Sequence, residues 1–207
     1  IRDRLYGGLG QNFMNPALAA RCFLLTSFAL FMNNFSSAKL GFDSLTGATP
    51  LAQLRAGETV DLASLVIGRI PGTIGEVSVI ALLIGAIYMV VRKVISPVIP
   101  VTYLATAAVL SALLGRDPLM DILSGGLLLG AIFMATDYTT SPINFSARVI
   151  YAVGCGVLTI LIRQFASLPE GVSYSIVLMN ILVPLIERVA KPQTFGKMKA
   201  KKAGDAK

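Results

Sequence analysis

The 207-residue chain has no histidine and only two cysteines, Cys22 and Cys155. Each shortage removes a class of chemistry. Without imidazole and without clustered thiolates, the chain offers no ligand set for a redox metal of its own. The two cysteines lie inside apolar runs and neither has a CxxC neighbour. That excludes a disulfide framework or an iron–sulfur site within the chain and leaves them as small packing residues. Charge is scarce as well. Charged residues make up 14% of the chain, against roughly a quarter in an ordinary soluble domain. No signal peptide precedes the glycine-rich loop near Ile1, so the natural start is expected further upstream.

What is present is apolar. Hydrophobic residues reach 55% and the mean hydropathy is +0.73. They fall in long blocks rather than at amphipathic spacing, the pattern of a membrane protein. Six stretches approach the roughly 20 residues a spanning helix needs: Pro16–Met32, Ile74–Val91, Pro97–Leu114, Leu119–Thr136, Val149–Phe165 and Tyr174–Val189. Pro and Gly punctuate the connections, and only the stretch from Asn33 to Thr73 is long. Lipid offers no partner for backbone polar groups, so spanning segments are helices or closed barrels. Unbroken apolar runs exclude a barrel, whose strands alternate in polarity. The expected fold is an all-α integral membrane bundle of about six transmembrane helices. Four regions follow: a Gly/Asn-rich loop and first helix over residues 1–32, a long loop over 33–73, a five-helix region over 74–190 and a basic tail over 191–207.

The net charge of +7 is unevenly spread. Arg2, Arg4, Arg92, Lys93, Arg148, Arg188 and the lysines of the tail fall on one side of six alternating crossings. Lys39, Arg55, Arg69, Arg116 and Arg163 fall on the other, and Arg21 is intramembrane. The excess of Lys and Arg on cytoplasmic loops places both ends of the chain in the cytoplasm and the loop over 33–73 outside it. The tail KMKAKKAGDAK reads as a topological anchor meeting anionic lipid. No aromatic residue is interleaved with its lysines, so nucleic acid is not an expected partner.

Within the long loop, FDSLTGATPLAQ (residues 42–53) sets hydroxyl side chains around a small Gly47-Ala48 pair. Asp, Ser, Thr and Gly are turn formers, so local physics alone favours a surface turn. The alternative is chemical. A hydroxyl flanked by Gly and Ala is sterically open, Pro50 pushes Thr49 toward an extended conformation, and Asp43 supplies a nearby carboxylate.

The segment Asp43-Ser44-Leu45-Thr46-Gly47-Ala48-Thr49 resembles the flavinylation signature D-x-x-S/T-G-A-T. Gly7-Gly8-Leu9-Gly10-Gln11-Asn12-Phe13-Met14-Asn15-Pro16-Ala17 is similar to the GGxGxNxxNPA stretch of the NqrB/RnfD membrane-subunit family. The run from Gly125 to Asp137, GGLLLGAIFMATD, resembles that family's GGxxxGAxFMATD segment, with Tyr138 where many members have proline. Thr49-Pro50-Leu51 looks most like the RnfD branch. The resemblance implies a larger fold similar to that of urea transporters, with further helices upstream. It also implies FMN joined to Thr49 by a phosphoester bond, made from FAD by a Mg-dependent flavin transferase, with Asp43, Thr46, Gly47 and Ala48 completing the attachment motif. The implied function is a flavin-carrying subunit of a membrane electron-transport complex in a bacterial or archaeal cytoplasmic membrane. Such a complex couples ferredoxin:NAD⁺ oxidoreduction to Na⁺ or H⁺ transfer alongside other membrane and peripheral subunits. The near alternative is the equivalent subunit of a sodium-pumping NADH:quinone reductase. The distant one is a channel or transporter with no redox role.

A second site is expected at the cytoplasmic face. Asn12 and Asn15 stand at the start of the first helix, where they either cap it or meet a flavin ring. Thr136, Asp137, Thr139 and Thr140 follow the glycine-rich fourth run on the same side. Their donors and acceptors suit a second, non-covalent flavin such as riboflavin, or a quinone. Asp137 otherwise reads as a plain helix-end residue. Asp121, Glu76 and Arg21 are open between interfacial solvation, pairing with helices upstream and an ion-handling role.

Overall fold

The computed structural model describes residues 14–32, 36–37, 45–46, 49–56, 60–68, 75, 77–166 and 171–190. Asn12, Asp43, Gly47, Ala48, Glu76 and the basic tail lie outside the described residues. The described chain is helical apart from two short strands. These are β1 (Ser36–Ser37) and β2 (Leu45–Thr46), an antiparallel pair with Ser36 opposite Thr46.

Helix α1 (Pro16–Ser27) starts where the Asn15 side chain accepts from the Ala17 and Leu18 N–H groups and Pro16 supplies a preset φ. It stops at Phe28, and a single turn, α2 (Ala29–Met32), follows. The first expected span is therefore interrupted: 12 residues of α1 rise about 18 Å, short of the roughly 30 Å hydrocarbon core. In the long loop, α3 (Pro50–Arg55) and α4 (Leu62–Ile67) are six-residue helices. Asp61 caps α4, accepting from the Ser64 hydroxyl at 2.7 Å and from the Ala63 and Ser64 amides. The Ser64 hydroxyl bond and the two amides hold its carboxyl below the usual carboxylate range.

Then come α5 (Val79–Val91), α6 (Val98–Leu113), α7 (Pro118–Leu123) and the single turn α8 (Leu127–Leu129), which runs into a π-helical segment over Gly130–Met134. The last two helices are α9 (Phe145–Phe165) and α10 (Val172–Val189). Among the described residues, these two are long and apolar enough to cross a membrane. The second expected span is shorter than the run of apolar residues, because α5 begins only at Val79, capped by Ser78.

The fourth expected span, Leu119–Thr136, is not one helix. Gly125 and Gly126 both hold left-handed backbone, φ 63° and 66°, which ends α7 and restarts the chain as α8. L residues other than glycine pay roughly 1–2 kcal/mol to stand there, so two glycines in succession make the break inexpensive.

The core lies between α6, α9 and α10. Tyr103, Ala107, Tyr151, Ala152, Cys155, Ile160 and Ile176 are buried together there. Gly156 allows the close approach: a Cβ on it would stand 2.8 Å from Thr106 Cβ on α6. Buried hydroxyls knit the same three helices. The Tyr103 hydroxyl lies 2.6 Å from Thr159 Oγ1 and 3.2 Å from Ser175 Oγ, and the Tyr151 hydroxyl donates to Asn180 Oδ1 at 2.7 Å. Helix α5 packs Val79 and Leu82 against Leu128 and Ile132. On the outer faces of α5 and α6, Ile84, Ile87, Val101, Val109 and Leu113 are exposed. A helix apolar on its outer face as well as its inner one suits lipid or neighbouring helices rather than water.

Candidate functional site

At the start of α3, Thr49 has φ −63° and ψ 152°, the extended backbone expected before proline. Its Oγ1 accepts from the Ala52 N–H at 3.4 Å. The residue is half-buried, and this long bond engages the oxygen only weakly. Thr46 enters the described structure through its place in β2, while Asp43, Gly47 and Ala48 lie outside the described residues. Immediately after Thr49 the chain is fixed: Pro50 is buried and Leu51 is only 2% exposed.

Leu51 is buried against the helix break. An ideal Cβ on Gly125 would lie 2.9 Å from Leu51 Cδ2 and 2.9 Å from Arg163 Nη2. Arg163 is itself 1% exposed. Its Nη1 donates to the Asp121 carbonyl, and its Nη2 donates to the Ser124 carbonyl at 2.9 Å and the Gly125 carbonyl at 3.1 Å. These are carbonyls that an unbroken helix would have satisfied along its own ladder. The guanidinium of α9 thus takes over part of that role for the interrupted α7. Arg163, counted by sequence among the charges of the side opposite the chain ends, is a buried brace. Asp121, left open by sequence, pairs inside the chain: its carboxylate accepts from Arg116 Nε at 2.8 Å, Arg116 Nη2 at 2.6 Å and the Ser111 hydroxyl.

The other end of the bundle brings Asn15 and Asp137 together. Asn15 Nδ2 donates to Asp137 Oδ2 at 3.3 Å across 122 residues. The same carboxylate accepts from the Thr139 and Thr140 hydroxyls, at 3.0 and 3.2 Å, and from the Thr139 amide. Asp137 is therefore first a staple that closes its own turn onto α1. Beside it opens a cavity of about 530 Å³ lined by Asn15, Met89, Phe133, Thr136, Tyr138 and Thr139, among others. A smaller one of about 120 Å³ shares Val94, Ile95, Thr136 and Tyr138 and reaches Arg148. Asn12 lies outside the described residues.

The model of the NQR2, RnfD, RnfE family matches residues 1–196. The chain belongs to this family. It is 48% identical over its whole length to the D subunit of the Na(+)-translocating ferredoxin:NAD(+) oxidoreductase complex of Acetobacterium woodii, covering 66% of that protein. It is 38% identical to the D subunit of the proton-translocating ferredoxin:NAD(+) oxidoreductase complex of Clostridium ljungdahlii, over 95% of this chain and 65% of that one. With the D subunit of the ion-translocating oxidoreductase complex of Stutzerimonas stutzeri, identity is 37% over 95% of this chain and 67% of the relative. The chain thus spans about two thirds of the length of the curated relatives it matches.

For this family member, sequence reasoning passed over Leu51 and Gly125 as individual residues and took Arg163 for a topological charge. A signal existed for one of them. Arg163 is the only charged residue in the run from Val149 to Phe165, and a lone arginine in an apolar helix needs polar partners inside the protein.

Proposed function

We propose that this chain is the flavin-carrying membrane part of an Rnf-type complex that couples ferredoxin:NAD⁺ oxidoreduction to ion transfer. FMN is held by a phosphoester bond to Thr49. The observation that carries the reading is the acceptor hydroxyl itself: weakly engaged, half-buried and closing a D-x-x-S/T-G-A-T sequence in a chain of this family. In the transfer, a bond forms between Thr49 Oγ1 and the flavin phosphorus and the P–O–P link of FAD breaks. AMP leaves and the hydroxyl proton passes to solvent; a flavin transferase is the maturation partner. When bound, flavin supplies stepwise electron transfer, and the chain's part is to fix it in place. A covalent tether keeps a relay facing an aqueous compartment from being lost between turnovers.

The cavity beside Asp137 is the candidate seat for a second, non-covalent flavin such as riboflavin. Its volume falls within the few hundred to about 1,000 Å³ of small-molecule sites. Phe133, Tyr138 and Met89 line it with apolar surface, and Asn15, Thr136 and Thr139 add polar side chains to the lining. Asp137 holds Asn15 and Thr139 of that lining through its hydrogen bonds. The whole subunit is read as a multi-pass bundle of the urea-transporter-like type in a cytoplasmic membrane, with the Thr49 loop outside. About six crossings fall within this chain, over α1 and α5 to α10, and further helices lie upstream. Other subunits of the complex supply the ferredoxin and NAD sites. The sodium-pumping quinone-reductase subunit is the second reading, favoured by the family's inclusion of that branch; the identity of co-purifying subunits separates the two.

The test is covalent flavin on the chain. In-gel fluorescence after denaturation is expected from the native protein and absent from Thr49→Val, with Thr46→Ala only reduced. Flavin remaining on Thr49→Val refutes the assignment.

A further inference from the structure

We propose that the helix break at Ser124–Gly126, braced by Arg163, is the seat on which the acceptor segment docks, and that Leu51, Gly125 and Arg163 are positioning residues for the group on Thr49. The proposal rests on the flavin reading above.

Helix α3 has six residues, and isolated helices shorter than about 12 residues are marginal in water. Its position must come from what it touches. The contact is specific in shape: Leu51 is buried in the space that a side chain at Gly125 would need. Gly125 is thus required twice, for its left-handed backbone and for the room it leaves. Beneath it, the guanidinium holds the carbonyls of Asp121, Ser124 and Gly125. Irregular backbone at membrane depth is tolerated only where its polar groups are satisfied by protein or water. A planar fork serves several carbonyls at once, which an ammonium on a flexible stem does not do equally well.

A second anchor lies in α4. Leu65 is fully buried, and at Gly68 the chain turns with φ 94° within 3.2 Å of Val77 and Ser78, if a Cβ is placed there. The segment that presents Thr49 is thus held at the break through Leu51 and at the start of α5 through α4. A group attached at Thr49 is then confined to one position at the edge of the bundle, rather than swinging on a free loop. Arg163 acts at a distance, through Gly125 and Leu51.

The experiment uses the full-length subunit in its assembled complex, with Leu51→Ala, Leu51→Met, Gly125→Ala and Arg163→Lys variants. Amide exchange is read at Gln53 and Ala56, whose N–H groups donate to the Thr49 and Ala52 carbonyls. Covalent flavin per chain and its quenching by iodide are measured on the same samples. Loading should stay near the native level in every variant, because the transferase acts on the motif and not on the seat. Exchange at Gln53 and Ala56 should accelerate about tenfold or more in Leu51→Ala, Gly125→Ala and Arg163→Lys, since each loosens a buried contact. Iodide quenching should rise in parallel, and Leu51→Met, which refills the space, should restore both. Unchanged exchange in Leu51→Ala and Arg163→Lys overturns the seat, as does faster exchange with no change in quenching of the attached flavin. A native chain without covalent flavin refutes the functional reading instead, and amide exchange then decides the seat alone.

Discussion

The Arg116–Asp121 pair predicts an asymmetry between its two halves. The Asp121 side chain is 3% exposed and that of Arg116 is 21% exposed. Replacing Arg116 by Met removes both guanidinium bonds and leaves the buried carboxylate with only the Ser111 hydroxyl. Stranding a buried charge in this way costs about 3–5 kcal/mol. Replacing Asp121 by Asn keeps the shape and an amide oxygen, and strands a guanidinium that solvent and Gln164 reach. Loss of charge assistance in a part-exposed pair costs about 1–2 kcal/mol. The double variant, Asp121→Leu with Arg116→Met, puts apolar groups on both sides and should fall well short of the sum of the two single losses. For a unit of 150–250 residues, each kcal/mol moves the midpoint by about 2–4 °C. Arg116→Met should therefore lower the melting temperature of the detergent-solubilised subunit by about 6 °C or more, and Asp121→Asn by about half of that or less. The assay is the fraction remaining monodisperse by size-exclusion after heating. Equal losses, or a greater loss for Asp121→Asn, would refute the argument that burial of the carboxylate sets the magnitude. Additive losses in the double variant would refute the coupling.

Two further outcomes are expected. A cysteine at Ser36 should react with an impermeant maleimide in intact cells while one at Ala203 should not; the reverse pattern overturns the proposed topology. Asp137→Ala combined with Asn12→Ala removes the staple on α1 and should leave covalent FMN intact while stopping electron transfer beyond it. Full turnover in that variant would reduce the cavity beside Asp137 to a packing feature.

The sequence by itself determined the class. Long apolar runs with few charges specify an all-helical membrane protein because desolvation cost depends on composition, which is legible one residue at a time. The motif on which the proposed acceptor rests is equally local: Thr49, Pro50 and the small residues before them are contiguous. The cap at Asn15 and the turn after Asp137 are local too, made within three residues. Tertiary structure alone decided where the fourth run breaks. Paired glycines in a membrane helix serve close packing as readily as interruption, so Gly125-Gly126 left both outcomes open. Arg163 decides between them, because its donors reach the freed carbonyls from 38 to 42 positions away. The same holds for the burial of Leu51 against that break and for the bond from Asn15 to Asp137 across 122 residues. A buried helix gives up its own hydrogen bonds only where protein or water replaces them, and that Arg163 arrives here is set by how α6, α9 and α10 pack.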